Sequence, residues 1–239
     1  MTTAPSTSER ADTRSDAAGV DAGRPPLPSI VRDLEVLIEQ RAKFPTVYAD
    51  PPWPYANTAA RGAAENHYRT MTLEAIRKEP VKELAADQAH LHLWTTNAFL
   101  REAFDVIRAW GFHYKSCLVW IKPQLGMGNY WRVSHEYLLL GVRGNLPFRD
   151  RTCRSWLMAR RTVHSRKPFA FRELIERVSP GPYLELFARF RRPGWDQWGN
   201  EDVEENSLNG VALRKGHVDP LADPQIRLLE VPPQYRRPS

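Results

Sequence analysis

The stretch that most constrains this chain is Val47-Tyr48-Ala49-Asp50-Pro51-Pro52-Trp53-Pro54-Tyr55. Its first half is apolar and β-prone, which predicts the end of a buried strand. Pro51 and Pro52 then stop the ladder, because neither can donate a backbone N–H. A carboxylate and an aromatic ring are left at the strand's C-terminal edge, where open α/β sheets bind ligands. Asp50 and the Pro51 carbonyl are expected to be adjacent acceptors with no local donor of their own. Trp53 is expected to offer a flat face for stacking. Together these suit a planar ring that carries an amino group, such as adenine. An Asp-Pro-Pro taken alone also fits a plain turn with a solvated carboxylate.

At 239 residues, 42% hydrophobic and 26% charged, the chain fits one soluble domain with tails. No apolar run approaches a membrane span, and the N-terminus lacks a secretory apolar region. The two cysteines, Cys117 and Cys153, form no C-x-x-C pair, which argues against a zinc site and a disulfide scaffold. A reducing interior is the simplest home. The formal charge of +6 is compatible with nucleic acid as a partner without requiring it.

Residues 1–28 hold few large apolar side chains and are predicted to be a disordered tail. The domain is expected over 29–205, and 206–239 as a second tail. Helical spacing runs from Ile30 to Gln40. Tyr55 to Glu65 shows no period and lies beside the proline turn, as a lid would. Thr72 is placed to cap a helix. His90 to Thr95 alternates as a strand. The polar alternation suits a half-buried strand, and a metal site at His90 and His92 lacks a third ligand. A helix is predicted from Phe99 to Trp110 with Gly111 as its C′ residue. Strands follow over Tyr114–Lys122 and Val133–Val142, separated by a loop whose Gly126 and Gly128 suggest mobility. Arg149, Arg151, Arg154, Arg160, Arg161, Arg166 and Lys167, interleaved with Phe148 and Trp156, suit phosphate contacts and base stacking, or else a solvated basic face. A helix over Phe169–Val178 and a strand over Pro182–Arg189 complete the pattern.

Asp50-Pro51-Pro52-Trp53 resembles the DPPW motif of the amino-methyltransferases. More narrowly, the chain resembles the family of the messenger-RNA adenosine-N6 methyltransferase catalytic subunit, which has bacterial and phage members. The likeness runs from about Thr46 to Glu201. Tyr68-Arg69-Thr70-Met71 is similar to the family's Tyr-Gly-Thr-Met, and Glu136 with Gly141-Val142-Arg143-Gly144-Asn145 to its glutamate strand. His164-Ser165-Arg166-Lys167-Pro168 is similar to Ser-His-Lys-Pro, Glu185-Leu186-Phe187-Ala188-Arg189 to Glu-Leu-Phe-Gly-Arg, and Trp198-Gly199-Asn200-Glu201 to the closing Gly-Asn-Gln. Phe190-Arg191 stand where the family has a His-Asn pair, so that pair's contacts do not carry over.

The resemblance implies a Rossmann-like α/β fold, mostly parallel, with helices on both faces, permuted motif order and one antiparallel strand near the end. It implies S-adenosylmethionine as cofactor and methyl transfer to the N6 amino group of adenine. By resemblance Asp50, Pro51, Pro52 and Trp53 are catalytic, with Trp53 and Pro52 gripping the base. Asp50, Lys167, Phe187, Arg189, Asn200 and Glu201 hold the cofactor, with Lys167 at its methionine carboxylate. Tyr55, Tyr68, His135 and Glu136 face the target nucleotide, and the Gln124–Asn129 loop is a substrate-side gate. The compact chain favours DNA over RNA, acting in a bacterial cytoplasm or nucleoid as a monomer, as a homodimer or with a partner subunit. A non-catalytic nucleic-acid-binding partner subunit and a methyltransferase for a small molecule or a protein amide remain as alternatives.

Overall fold

The computed structural model describes residues 33–54, 70–124, 126, 128, 130–161 and 167–199, and the backbone of 203–204. Both predicted tails and the lid segment after Pro54 lie outside the described residues. Strand β1 (Phe44–Ala49) is buried on both faces, as its continuous apolar run requires. It pairs in parallel with β2 (Ala85–Thr95) on one side and β6 (Tyr183–Leu186) on the other. The remaining strands of this sheet are β3 (His113–Ile121), β4 (His135–Arg143), β5 (Trp156–Met158) and β8 (Trp195–Trp198). The seven run in the order β5-β3-β4-β2-β1-β6-β8.

Only β4 opposes its neighbours in this sheet, pairing antiparallel with both β2 and β3. The single antiparallel strand is therefore interior, not near the end as expected. It returns from the C-terminal edge of β3, so a short connection suffices where a parallel strand would need a crossover. A two-residue pair, β7 (Phe190–Arg191) with β9 (Val203–Glu204), lies outside this sheet.

Side chains alternate across the sheet with period two and so feed two cores. Val47, Ala49, Leu91, Leu93, Leu139 and Leu184 join one core. Its helical residues come from α1 (Glu35–Glu39), α2 (Leu73–Lys78), α3 (Val81–Leu84) and α4 (Leu100–Ala109). Tyr48, Trp94, Trp120, Leu138 and Leu157 join the other, with Phe171 and Ile175 of α5 (Phe169–Val178). The helices thus cover both faces. Thr72 caps α2 by accepting the Ala75 N–H at 3.1 Å, and Gly111 at φ +82° ends the α4 turn as predicted. No helix among the described residues is long and apolar enough to cross a membrane, and both cysteines are free.

The His90–His92 strand is not half-buried. Both imidazoles are buried, and both contact the Ser179 hydroxyl at 2.9 Å, just past the end of α5. Burial, with His90 alongside, pulls the His92 pKa from the ordinary 6.5 down to about 3. A depressed pKa in the folded state means the unfolded chain binds the extra proton between those values, so stability is full above pH 6.5 and falls as pH drops. Urea unfolding should therefore lose about 1.4 kcal/mol per pH unit below pH 6.5 from His92. A His92→Gln variant should show a shallower slope, and an unchanged slope would contradict the assignment.

Candidate active site

The C-terminal edge of β1 is the place where the strand order reverses. From β1 the chain continues to β2 on one side, while β6 and β8 build outward on the other. Such a switch point leaves a crevice between strand ends. Asp50 stands there directly after Ala49, and the adjacent small cavity is lined by Asp50, Lys167, Phe187 and Arg189.

Lys167 is brought in by Pro168, which precedes α5. Its Nζ donates to Asp50 Oδ2 at 2.7 Å and lies 3.5 Å from Glu136 Oε2. Glu136 also accepts from Lys122 Nζ. The result is a chain of alternating charge, Asp50–Lys167–Glu136–Lys122, that ties β1, the start of α5, β4 and the end of β3. Each member is largely buried, with side-chain exposures of 21, 14, 17 and 9% in that order. Burial opposes the charge on Lys167, but Asp50 and Glu136 outweigh it and raise its pKa above the ordinary lysine value. At Lys122 burial prevails over Glu136, with Arg161 and Lys167 adding repulsion, and the pKa falls. Both ammoniums also sit over indole rings, Lys167 5.2 Å from the Trp94 centroid and Lys122 4.3 Å from that of Trp120.

Two expectations about the proline turn need correction. The Pro51 carbonyl does have a local donor, accepting the Trp53 N–H at 2.9 Å, whereas the donor to Asp50 is the distant Lys167. The Pro51 oxygen keeps a second lone pair for another donor. Nor does Trp53 present an open platform. It is 4% exposed, stacks on Phe99 at 5.6 Å and donates Nε1 to the Trp94 carbonyl at 3.1 Å. An indole whose N–H is satisfied inside the core anchors the turn instead of waiting for a base. The Pro52 carbonyl accepts the Met71 N–H at 2.9 Å, so the Tyr-Arg-Thr-Met block ends against the motif.

The predicted His135–Glu136 pair is split by the pleat. Glu136 points to Lys167 and Lys122, whereas His135 contacts the Tyr137 hydroxyl at 2.9 Å, two residues along and therefore on the opposite face. Phe187 follows β6 at φ +60°, a costly conformation for a bulky residue and one found at binding sites. Gly199 packs so closely that a Cβ there would stand 2.0 Å from the Ala188 carbonyl oxygen. Tyr55, Tyr68, Asn200 and Glu201 lie outside the described residues.

The basic run is also divided. Arg149, Arg151 and Arg154 precede β5, whereas Arg160 and Arg161 follow it at the edge where Asp50 lies. Phe148 packs on buried His90 at 5.8 Å, and Trp156 lies under Arg154 at 5.5 Å. Lys122 was not singled out by sequence. Its signal is a cation directly after the apolar run Leu118-Val119-Trp120-Ile121 and before Pro123, the same strand-then-proline grammar that marks Asp50.

Removing Lys122 leaves Glu136 with only its longer 3.5 Å contact to Lys167, and an under-compensated buried charge is costly. Lys122→Met should therefore lower the unfolding free energy by about 3 kcal/mol, and adding Glu136→Leu should recover more than half of that loss. Simple additivity of the two losses in denaturant titrations would contradict the coupling.

A family model described as MT-A70 matches residues 44–201. The match begins at the first residue of β1 and includes every strand through β8. The Type II methyltransferase M.MunI of a Mycoplasma species is 31% identical over 190 residues, covering 70% of this chain and 81% of that protein. The human N(6)-adenosine-methyltransferase catalytic subunit METTL3 is 30% identical over 196 residues, covering 77% of this chain and 31% of METTL3. Human METTL4, an N(6)-adenine-specific methyltransferase, is 28% identical over 191 residues, covering 70% of this chain and 39% of METTL4. The chain thus spans most of M.MunI but less than half of either human enzyme. The match over β1 to β8, with Asp50, Glu136 and Lys167 gathered at one strand edge, makes this chain a member of the MT-A70 family of N6-adenine methyltransferases.

Proposed function

We propose that this protein transfers a methyl group from S-adenosylmethionine to N6 of adenine in DNA. The observation that carries the reading is the Asp50–Lys167 pair at the mouth of the switch-point cavity. The cavity's groups fit the cofactor by their chemistry. Lys167 and Arg189 suit a carboxylate, Asp50 suits an amino or hydroxyl group, and Phe187 offers a ring edge. Asn200 and Glu201, next after Gly199, are retained as contacts to the adenosine portion. When bound, S-adenosylmethionine supplies an electrophilic methyl group.

The chain's own residues then act on the target base. The adenine amino lone pair is delocalised into the ring, so the nitrogen is a poor nucleophile. Asp50 accepts one N–H and the remaining lone pair of the Pro51 carbonyl accepts the other. This favours a pyramidal nitrogen and stabilises positive charge as it develops, and the methylated nitrogen becomes neutral by releasing one of its N–H protons to solvent. Lys167 positions the carboxylate. Pro51, Pro52 and the anchored Trp53 keep both acceptors in register, which lowers the entropic cost of the reacting geometry. Tyr55, Tyr68 and Glu136 are assigned to the target nucleotide, and His135 to the same edge from the other face. A target within a duplex must be flipped out or already unpaired.

DNA is favoured because the match to a Type II methyltransferase covers 81% of that protein, against 31% of the N(6)-adenosine enzyme METTL3. Adenosine in RNA is the second reading, supported by the METTL3 match across 77% of this chain. The free cysteines suit a reducing cytoplasm. Labelled S-adenosylmethionine, incubated with single- and double-stranded DNA and RNA and followed by nucleoside digestion, tests the reading. Label in N6-methyl-2′-deoxyadenosine is expected. Label confined to the ribonucleoside hands the case to RNA, and no cofactor binding at all overturns the proposal in favour of a partner subunit. Gly199→Ala should weaken S-adenosylmethionine binding roughly tenfold or more by calorimetry, because its Cβ must displace the Ala188 backbone. Unchanged affinity would separate the Gly199–Ala188 approach from cofactor binding.

A further inference from the structure

Two side chains outside the ion-pair chain are exposed to a degree that no other large apolar side chain among the described residues approaches. Tyr130 is 96% exposed and Trp131 is 89% exposed, while the next, Tyr114, is 43% exposed. A single exposed aromatic is ordinary, but two in succession form a patch that water does not favour. They are displayed by the connection between β3 and β4. Its base is closed by the Lys122 N–H donating to the Ser134 carbonyl at 2.7 Å. The two sides of this connection then run too close for side chains. A Cβ on Gly126 would stand 1.9 Å from the Val133 carbonyl oxygen, and one on Gly128 would stand 2.3 Å from that of Trp131. The two glycines let the sides close on each other, and the aromatic pair is left at the tip.

The tip projects from the edge that carries the reaction. The connection springs from Lys122 and returns at His135–Glu136, so both ends adjoin the Asp50–Lys167–Glu136–Lys122 chain. Its neighbours are cationic. Arg132 is exposed beside Trp131, and exposed Arg160 and Arg161 follow β5 at the same edge. Flat rings interleaved with guanidinium groups match a polymer of stacked bases and phosphates better than they match an apolar protein face.

We propose that Tyr130 and Trp131 form a stacking wedge that enters the base stack beside the target adenine, with Arg132 on a neighbouring phosphate. This rests on the reading of the protein as a polynucleotide methyltransferase. The wedge stabilises the gap left by the withdrawn base, since an aromatic face can replace the lost base-on-base contact. Bases of any identity can stack on it, so it contributes to base extrusion without selecting a sequence.

The test is fluorescence anisotropy at fixed salt with two labelled single-stranded probes of equal length. One is a mixed-sequence oligodeoxynucleotide and the other an abasic strand of the same phosphate charge. The wild type should bind the base-bearing probe more tightly. Tyr130→Ala with Trp131→Ala should weaken that probe on the order of tenfold per ring, while leaving the abasic probe and S-adenosylmethionine affinity nearly unchanged. Trp131→Phe should restore much of the loss. Equal weakening of both probes, or no weakening of either, overturns the wedge. So does unchanged probe affinity with a dimer in the wild type and a monomer in the variant by sedimentation, which would make the tip a self-association surface. Methylation of polynucleotide by the wild type is scored separately. Its absence counts against the proposed reaction, whereas the probe comparison still decides the wedge.

Discussion

A carboxylate at the end of a strand buried on both faces must find a cation or stay wet, and here Asp50 finds Lys167. The rest of the site follows from that pairing. Lys167 is itself largely buried and stays charged because two carboxylates face it. Glu136 in turn is shared with Lys122. Four elements distant in sequence are thereby bound at one edge by Coulomb attraction, strengthened by the low local dielectric and directed by hydrogen bonds. Such a chain is rigid because shifting one member leaves another uncompensated.

The sheet supplies the place. Parallel strands β2, β1, β6 and β8 bring their C-terminal ends to one edge, and the reversal of order beside β1 opens a crevice there. Interior β4 runs the other way, so its first residues, not its last, reach that same edge and deliver Glu136. Two hydrophobic cores hold the sheet from both sides. Tyr48 and Trp94 cross-link strands beneath the site through a 2.8 Å bond, and burial raises the Tyr48 pKa well above the ordinary value.

Much of this was legible in the residues. The α5 boundaries, the Thr72 cap, the Gly111 terminus and the strand ending at Ala49 all follow local rules of period and punctuation. The joining of Asp50 with Lys167 was reachable only through family likeness, because 117 positions separate them. Trp53 misled because a tryptophan after a proline turn reads alike whether its ring faces a ligand or a core. Its partners, Phe99 and the Trp94 carbonyl, are distant in sequence. The short strand β5 was hidden inside a basic run, and β8 inside a motif read only for its cofactor contacts. The histidines of β2 alternate like solvent-facing residues, yet both are buried and share one serine hydroxyl. In each case a tertiary contact overrode a local pattern.

The Asp50 carboxylate is assigned to the amino group being methylated. Single-turnover transfer from labelled S-adenosylmethionine to polynucleotide, compared between the wild type and Asp50→Ala, tests it most directly. Transfer should fall by at least about a hundredfold. Circular dichroism should keep the folded signature, and S-adenosylmethionine binding, which also uses Asp50, should weaken far less than transfer falls. Near-normal turnover in that variant would rule out this role for Asp50 and place the acceptor of the amino hydrogens elsewhere.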